Sequence, residues 1–256
     1  MERYGLLGEH LGHSYSPRIH SLLASYSYEL FEKTPEELGD FVQNGDWKGI
    51  NVTIPYKKTV IPFCSGLSER AEKIGAVNTL IRREDGSIFG DNTDAYGFEK
   101  LAEINGIEIK GRKCIVLGSG GASAMAVEVL KSKGAERVTV ISRHGENNYG
   151  NLNLHTDTSL LVNTTPVGMY PNSGNMPVSK QVIDRCAGVF DAIYNPLHTK
   201  LIEAALANGA KAAGGMAMLV GQAAAAHEIW DGSQYNKDDI RQLIEDSAKE
   251  QQKHFA

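Results

Sequence analysis

The sequence predicts an α/β fold in two domains, each built on a sheet whose strands are mostly parallel. Three observations carry this. Strand-like and helix-like segments alternate along most of the chain, and beyond Gly111 the alternation opens with a near-continuous apolar strand, Lys113–Leu117. A glycine-rich loop, Gly118-Ser119-Gly120-Gly121-Ala122-Ser123, stands between one such strand and a helix. At 256 residues the chain is long for one core and comfortable for two.

Taken in order, Tyr4–Gly8 is a short apolar strand followed by a loop containing His13. Ser16-Pro17 opens a helix, since a serine hydroxyl can cap free N–H groups and proline suits the first helical position. A strand near Glu29–Glu32 runs into Thr34-Pro35-Glu36-Glu37, a capping box that predicts a helix to about Val42. Gly49–Ile54 reads as a strand ending at Pro55, and Thr79–Phe89 as a hairpin turning at Asp85-Gly86. A helix from about Asp94 ends at Asn105-Gly106, where glycine takes the left-handed conformation. Lys113–Leu117 is then a strand of the kind buried on both faces. After it come a helix to about Lys133, strands Arg137–Ile141, Leu160–Asn163 and Val189–Ala192, helix Lys200–Ala207 and strand Lys211–Ala213. Helices near Leu219–Trp230 and Lys237–Lys253 close the chain. The second part has the grammar of repeated βαβ units.

Composition narrows the function classes. With 41% hydrophobic and 22% charged residues the chain is that of a folded protein. A net charge of -5 and a pI near 5.9 give no basic footprint, which argues against nucleic acid as partner. Met-Glu-Arg-Tyr leads into no apolar run, and no stretch approaches the roughly 20 apolar residues of a membrane span. Three scattered cysteines, Cys64, Cys114 and Cys186, suit a reducing cytoplasm and match no zinc pattern. The expectation is a cytoplasmic protein without membrane, nucleic-acid or metal partners, monomeric or homodimeric.

In the glycine loop, Gly118 and Gly120 permit a tight turn and close approach of backbone to a pyrophosphate. Ser123 is small enough for helix and strand to pack, and the helix N-terminus offers N–H groups to phosphate. With Ser119, Gly121 and Ala122 these residues form a candidate dinucleotide site, so this half is predicted to be a Rossmann-type domain. At the end of the second strand, where an acid would bind an NAD ribose, the chain has Ser142 and Arg143. A guanidinium pairs with a 2′-phosphate, which favours NADP(H).

Four polar clusters mark the other half: Ser14-Tyr15-Ser16-Pro17; Asn51-Val52-Thr53-Ile54-Pro55-Tyr56-Lys57; Asn78 within Gly75–Thr79; and Asp94 within Asp91–Gly97. Asn51 and Thr53 share one face by strand alternation. Hydroxyls, amides, a lysine and a carboxylate suit a small polyhydroxylated acid. Each has a plainer reading: Ser16 and Asp94 as helix caps, Lys57 beside Lys58 as a surface charge pair, Asn78 as a turn residue.

In this order and spacing the clusters resemble the shikimate dehydrogenase family along essentially the whole chain. The resemblance continues through Asn163-Thr164-Thr165-Pro166-Val167-Gly168-Met169, Asp191-Ala192-Ile193-Tyr194-Asn195-Pro196 and Gly215-Met216-Ala217-Met218-Leu219-Val220-Gly221-Gln222. It implies NADPH-dependent reduction of 3-dehydroshikimate to shikimate, between a substrate domain of residues 1–95 plus 222–256 and an NADP-binding domain of residues 96–221. It further implies that Ser14 and Ser16 hold the substrate carboxylate, and that Asn51, Thr53, Lys57, Asn78, Asp94 and Gln222 bind ring hydroxyls and the reacting oxygen. Tyr194 would line the cleft near the carboxylate, Gly215 and Met218 would lie near the nicotinamide, and Thr164 beside the dinucleotide.

Hydride transfer to a carbonyl leaves charge on oxygen. An ammonium can stabilise that charge and supply the proton, so Lys57 is assigned as acid/base and Asp94 as its partner. Family members commonly place a second basic residue after the second strand. Here Ser142-Arg143-His144 runs into Gly145-Glu146-Asn147-Asn148-Tyr149, which predicts NADP preference with a softened margin. Two alternatives remain: a quinate/shikimate dehydrogenase using NAD or NADP, and a noncatalytic NADP-binding regulator. A regulator has no use for both Lys57 and Asp94.

Overall fold

The computed structural model describes residues 2–12 and 14–255; His13 lies outside them. The chain divides into two compact units, one holding the residues up to Tyr96 and those from Val220 on, the other Gly97–Leu219.

The first unit contains β1 (Tyr4–Gly8), α1 (Ser16–Leu23), β2 (Tyr28–Glu32), α2 (Pro35–Asn44), β3 (Gly49–Val52), β4 (Gly66–Leu67), α3 (Glu69–Ile74), β5 (Thr79–Arg82) and β6 (Ile88–Asp91). Its sheet has the order β2-β1-β3-β5-β6-β4. β1 pairs in parallel with β2 and β3, and β4 with β6, while β5 runs antiparallel to both neighbours. The register places Asn51 of β3 opposite Thr79 of β5, and Thr79 opposite Asp91 of β6. One polar row therefore runs across β3, β5 and β6, at the start of β5 and the end of β6. Leu7, Leu38, Val42, Ile50, Val52 and Leu80 form the core on which that row is mounted.

Helix α4 (Thr93–Ile104) leads into the second unit, which contains β7 (Lys113–Leu117), α5 (Gly121–Ser132), β8 (Arg137–Ile141), β9 (Leu160–Asn163), α6 (Lys180–Ile183), β10 (Gly188–Asp191), α7 (Lys200–Ala207) and β11 (Lys211–Ala213). All its strand pairs are parallel, in the order β11-β10-β9-β7-β8. Every residue of β9 and β10 is buried, the condition that near-continuous apolar runs anticipate. The chain leaves β7 for β8 on one side and crosses back to β9 on the other. That reversal makes a topological switch point at the carboxyl ends of β7 and β9.

Helices α8 (Met216–Asp231) and α9 (Lys237–Phe255) end the chain. Trp230 packs with Tyr4 and Ala226, and its indole N–H donates to the Leu80 carbonyl at 3.1 Å. A Cβ at Gly49 would come within 2.4 Å of the Trp230 ring, so the glycine is the slot that admits it. From α9, the Ser247 carbonyl accepts the Tyr15 hydroxyl at 2.9 Å. No helix among the described residues is long and apolar enough to cross a membrane.

Candidate functional site

At two helix starts the plainer reading of a polar residue as the cap does not hold, and each time a polar side chain is released. Ser16 is not the cap of α1. Tyr15 holds the cap position without a side-chain bond, Ser16 is already helical, and Ser14 Oγ accepts the Ser16 N–H at 3.3 Å. Likewise Asp94 does not cap α4: Asn92 Oδ1 accepts the Ala95 N–H at 3.3 Å and Asn78 Oδ1 accepts the Thr93 N–H at 2.7 Å. With these N–H groups satisfied by neighbours, Asp94 turns to Lys57, whose Nζ donates to Asp94 Oδ2 at 2.6 Å.

Lys57 is brought there by a turn. Strand β3 stops at Val52, two residues short of the expectation, because Pro55 has no N–H to offer a ladder and the Tyr56 N–H folds back on the Thr53 carbonyl at 2.9 Å. Thr53 thus lies beyond the strand, its backbone N–H still held by the Leu7 carbonyl at 2.9 Å. The Val77 N–H then donates to the Lys57 carbonyl at 2.7 Å, and the Asn78 N–H to the Asp91 carbonyl at 3.0 Å. Lys57, Asn78 and Asp94 are fixed to one another through backbone. The Lys57 and Asp94 side chains keep 30% and 19% of their exposure, too little for the surface charge pair of the plainer reading.

A hydrogen-bonded line runs beside this pair. Asn51 is 4% exposed; its Oδ1 accepts the Tyr28 hydroxyl at 2.8 Å and its Nδ2 donates to Thr79 Oγ1 at 3.2 Å. Thr79 Oγ1 donates to Asn78 Oδ1 at 3.0 Å and lies 2.9 Å from Thr93 Oγ1. Tyr28, Asn51, Thr79, Asn78 and Thr93 are thereby linked in one line. Thr53 makes no side-chain hydrogen bond among the described residues, and Gln222 sits on α8 at 7% exposure. The sequence reading passed over Tyr28, Thr79 and Thr93. Both threonines stand inside the quoted clusters and were findable there, whereas Tyr28 carries only the signal of an ordinary strand residue.

In the second unit the glycine loop lies at the switch point. Gly118 has φ +110°, and a Cβ there would sit 2.7 Å from Thr164 Oγ1, so glycine is required twice over. Thr164 is stapled to the end of β7, its N–H and hydroxyl both donating to the Leu117 carbonyl, at 3.0 and 2.6 Å. Gly120 and Gly121 have no neighbour within 4 Å of a built Cβ, which leaves open space over the first turn of α5. A phosphate fits there, against N–H groups that the helix itself cannot use. Ser123 is buried where the helix meets the sheet.

The segment after β8 holds itself together. Ser142 Oγ donates to the His144 carbonyl, Asn148 Nδ2 to the Gly145 carbonyl at 3.1 Å and Asn151 Nδ2 to the Glu146 carbonyl at 2.7 Å. Asn148, which stands where a second basic residue was sought, is committed to loop structure. Arg143 is exposed and in none of the ion pairs among the described residues. Its charge opposes the rise that burial causes in the Tyr149 phenol.

At the end of β10, Asp191 accepts from Asn163 Nδ2 at 3.0 Å, Ile193 N at 3.1 Å and Thr199 Oγ1 at 2.6 Å. Burial nonetheless pushes its carboxyl up. The same turn receives Gly215, whose N–H donates to the Ile193 carbonyl at 2.9 Å and whose Cβ would sit 2.3 Å from the Ala192 oxygen. Met218 is half-buried on the first turn of α8, and burial pushes the Tyr194 phenol up.

Comparison with known proteins finds relatives along nearly the whole chain. Residues 6–80 match the family model described as the shikimate dehydrogenase substrate binding domain. A shikimate dehydrogenase (NADP(+)) of Clostridium perfringens is 38% identical over 96% of this chain and 98% of its own length. The structure of a chorismate mutase/shikimate 5-dehydrogenase fusion protein from Clostridium acetobutylicum superposes with a TM-score of 0.93 at 39% identity, covering 98% of each chain. A Thermus thermophilus shikimate 5-dehydrogenase, solved with NADP(H) and shikimate, has a TM-score of 0.84 at 30% identity and covers 96% of this chain and 100% of its own.

Proposed function

The chain belongs to the shikimate dehydrogenase family, and from that premise we propose how its own residues carry the NADP-dependent interconversion of 3-dehydroshikimate and shikimate. The observation that carries the reading is the 2.6 Å contact between Lys57 and Asp94, made inside a line of amides and hydroxyls.

Ser14 and Ser16 hold the substrate carboxylate, and Asn51, Thr53, Asn78 and Gln222 take the ring hydroxyls. Bound NADPH supplies the hydride. As hydride adds to C3, the carbonyl electron pair moves onto oxygen, and the Lys57 ammonium stabilises and then protonates it. Asp94, acceptor-only when ionised, keeps the amine aimed. In oxidation a neutral Lys57 takes the alcohol proton. For the cofactor, the Gly118–Ala122 loop supports the pyrophosphate and Arg143 the 2′-phosphate. Thr164, Gly215 and Met218 complete the nucleotide side. We place the reaction in the cytoplasm, on the strength of three free thiols.

Initial rates with shikimate and with quinate, each paired with NADP and with NAD, test the reading. Shikimate with NADP is expected to lead by about tenfold or more, the worth of a charge-assisted hydrogen bond of roughly 1.5 kcal/mol. Arg143→Ala should raise KM for NADP by about 10- to 100-fold on the same scale and leave KM for NAD unchanged. Equal efficiency with both cofactors in the parent protein would defeat the 2′-phosphate assignment. No turnover in any pairing would defeat the enzyme reading itself.

A further inference from the structure

We propose that Tyr28 is a positioning residue for the substrate, setting which way the Asn51 amide points without touching the reacting atoms. The inference rests on the shikimate-binding reading of Asn51. An amide can turn either its oxygen or its nitrogen to a ligand, so a ring hydroxyl held by Asn51 needs that choice fixed. Tyr28 is on β2 and Asn51 on β3, and β1 stands between these strands in the sheet. Their backbones therefore do not pair, and only a side chain can join them.

The Tyr28 hydroxyl supplies that tie, donating to Asn51 Oδ1 at 2.8 Å. Accepting at Oδ1 fixes which way Asn51 points, so that Nδ2 faces Thr79 Oγ1 at 3.2 Å and joins the line to Asn78. The phenol is itself immobile. Its ring stacks on the His20 imidazole with centroids 3.8 Å apart and planes 11° from parallel, and His20 is fully buried. Ring and hydroxyl thus have separable duties: the ring packs, and the oxygen positions.

Tyr28→Phe keeps the ring and deletes the oxygen. Loss of one such hydrogen bond should raise KM for shikimate by about 3- to 12-fold, with kcat and KM for NADP essentially those of the parent. In an Asn51→Ala background the same change should add less than about twofold, because the group being positioned is already gone. A merely structural tyrosine would lower the melting temperature and leave KM for shikimate where it was, or shift it by the same amount in both backgrounds. An unchanged KM for shikimate in an active Tyr28→Phe protein overturns the proposal alone. So does a KM effect that persists undiminished in the Asn51→Ala background. If the parent neither binds nor turns over shikimate, the site reading falls and takes this inference with it.

Discussion

Lys57→Ala lowers kcat by about 10²–10⁴-fold, the usual cost of one acid/base group, while the protein keeps its parent melting temperature. The amine is the one group at the site that both carries positive charge and can give up a proton. Neighbouring Asn51, Asn78 and Thr79 can hold an oxygen but cannot protonate it at useful rates. Asp94→Asn should cost less, about 10- to 100-fold, because the proton donor remains and only its aim is lost. The double variant should be little worse than Lys57→Ala, since residues acting as one unit do not add. Steady-state kinetics at saturating shikimate and NADP decide the matter, and a Lys57→Ala kcat within threefold of the parent would remove the lysine from the chemistry.

Acid should destabilise the first unit well above the pH at which its carboxylates titrate, and His20 is the reason. Burial, helped by the nearby His227, pulls the His20 imidazole down to about 3 from an ordinary 6.5. The folded protein therefore keeps His20 neutral between Tyr26, Tyr28 and Trp230, whereas the unfolded chain takes up a proton as pH falls below 6.5. Unfolding then binds a proton throughout the window from about 6.5 to about 3. Stability is full above the window and declines through it by up to about 1.4 kcal/mol per pH unit. Both tryptophans, Trp47 and Trp230, lie in the first unit, so fluorescence-detected urea unfolding reports on the right part of the molecule. Between pH 7 and pH 5, His20→Phe should lose about 2 kcal/mol less than the parent, although it is weaker at both values for want of the contact to the Tyr26 hydroxyl. Parallel pH dependence in the two proteins would show that His20 titrates normally.

What could be read in advance separates along physical lines. Strand β7 was legible because burial on both faces demands an unbroken apolar run, and Gly118 because only glycine tolerates its φ and its neighbour Thr164. Lys57 and Asp94 were legible as residue types, but their contact depends on Asn92 and Asn78 satisfying the start of α4, a choice among several polar candidates that local sequence leaves open. β4 and α3 were missed. They are two and six residues long, and long-range contacts sustain them: Arg70 forks onto Asp91 at 2.6 and 2.7 Å, and Ser68 both caps α3 and bonds Asp91. Tyr28 was invisible as a positioning group because its meaning lies in which strand stands beside it.

The slot at Gly49 bears on how the molecule is made. Trp230, which fills it, belongs to a helix near the chain's end, and Tyr15 waits for Ser247 in the same way. The stretch Gly97–Leu219, by contrast, contains all the strands of its own sheet. Domains tend to fold in the order in which the ribosome delivers them. Here the first unit emerges without Trp230 and Ser247, which come only with α8 and α9, whereas Gly97–Leu219 emerges with every strand of its sheet.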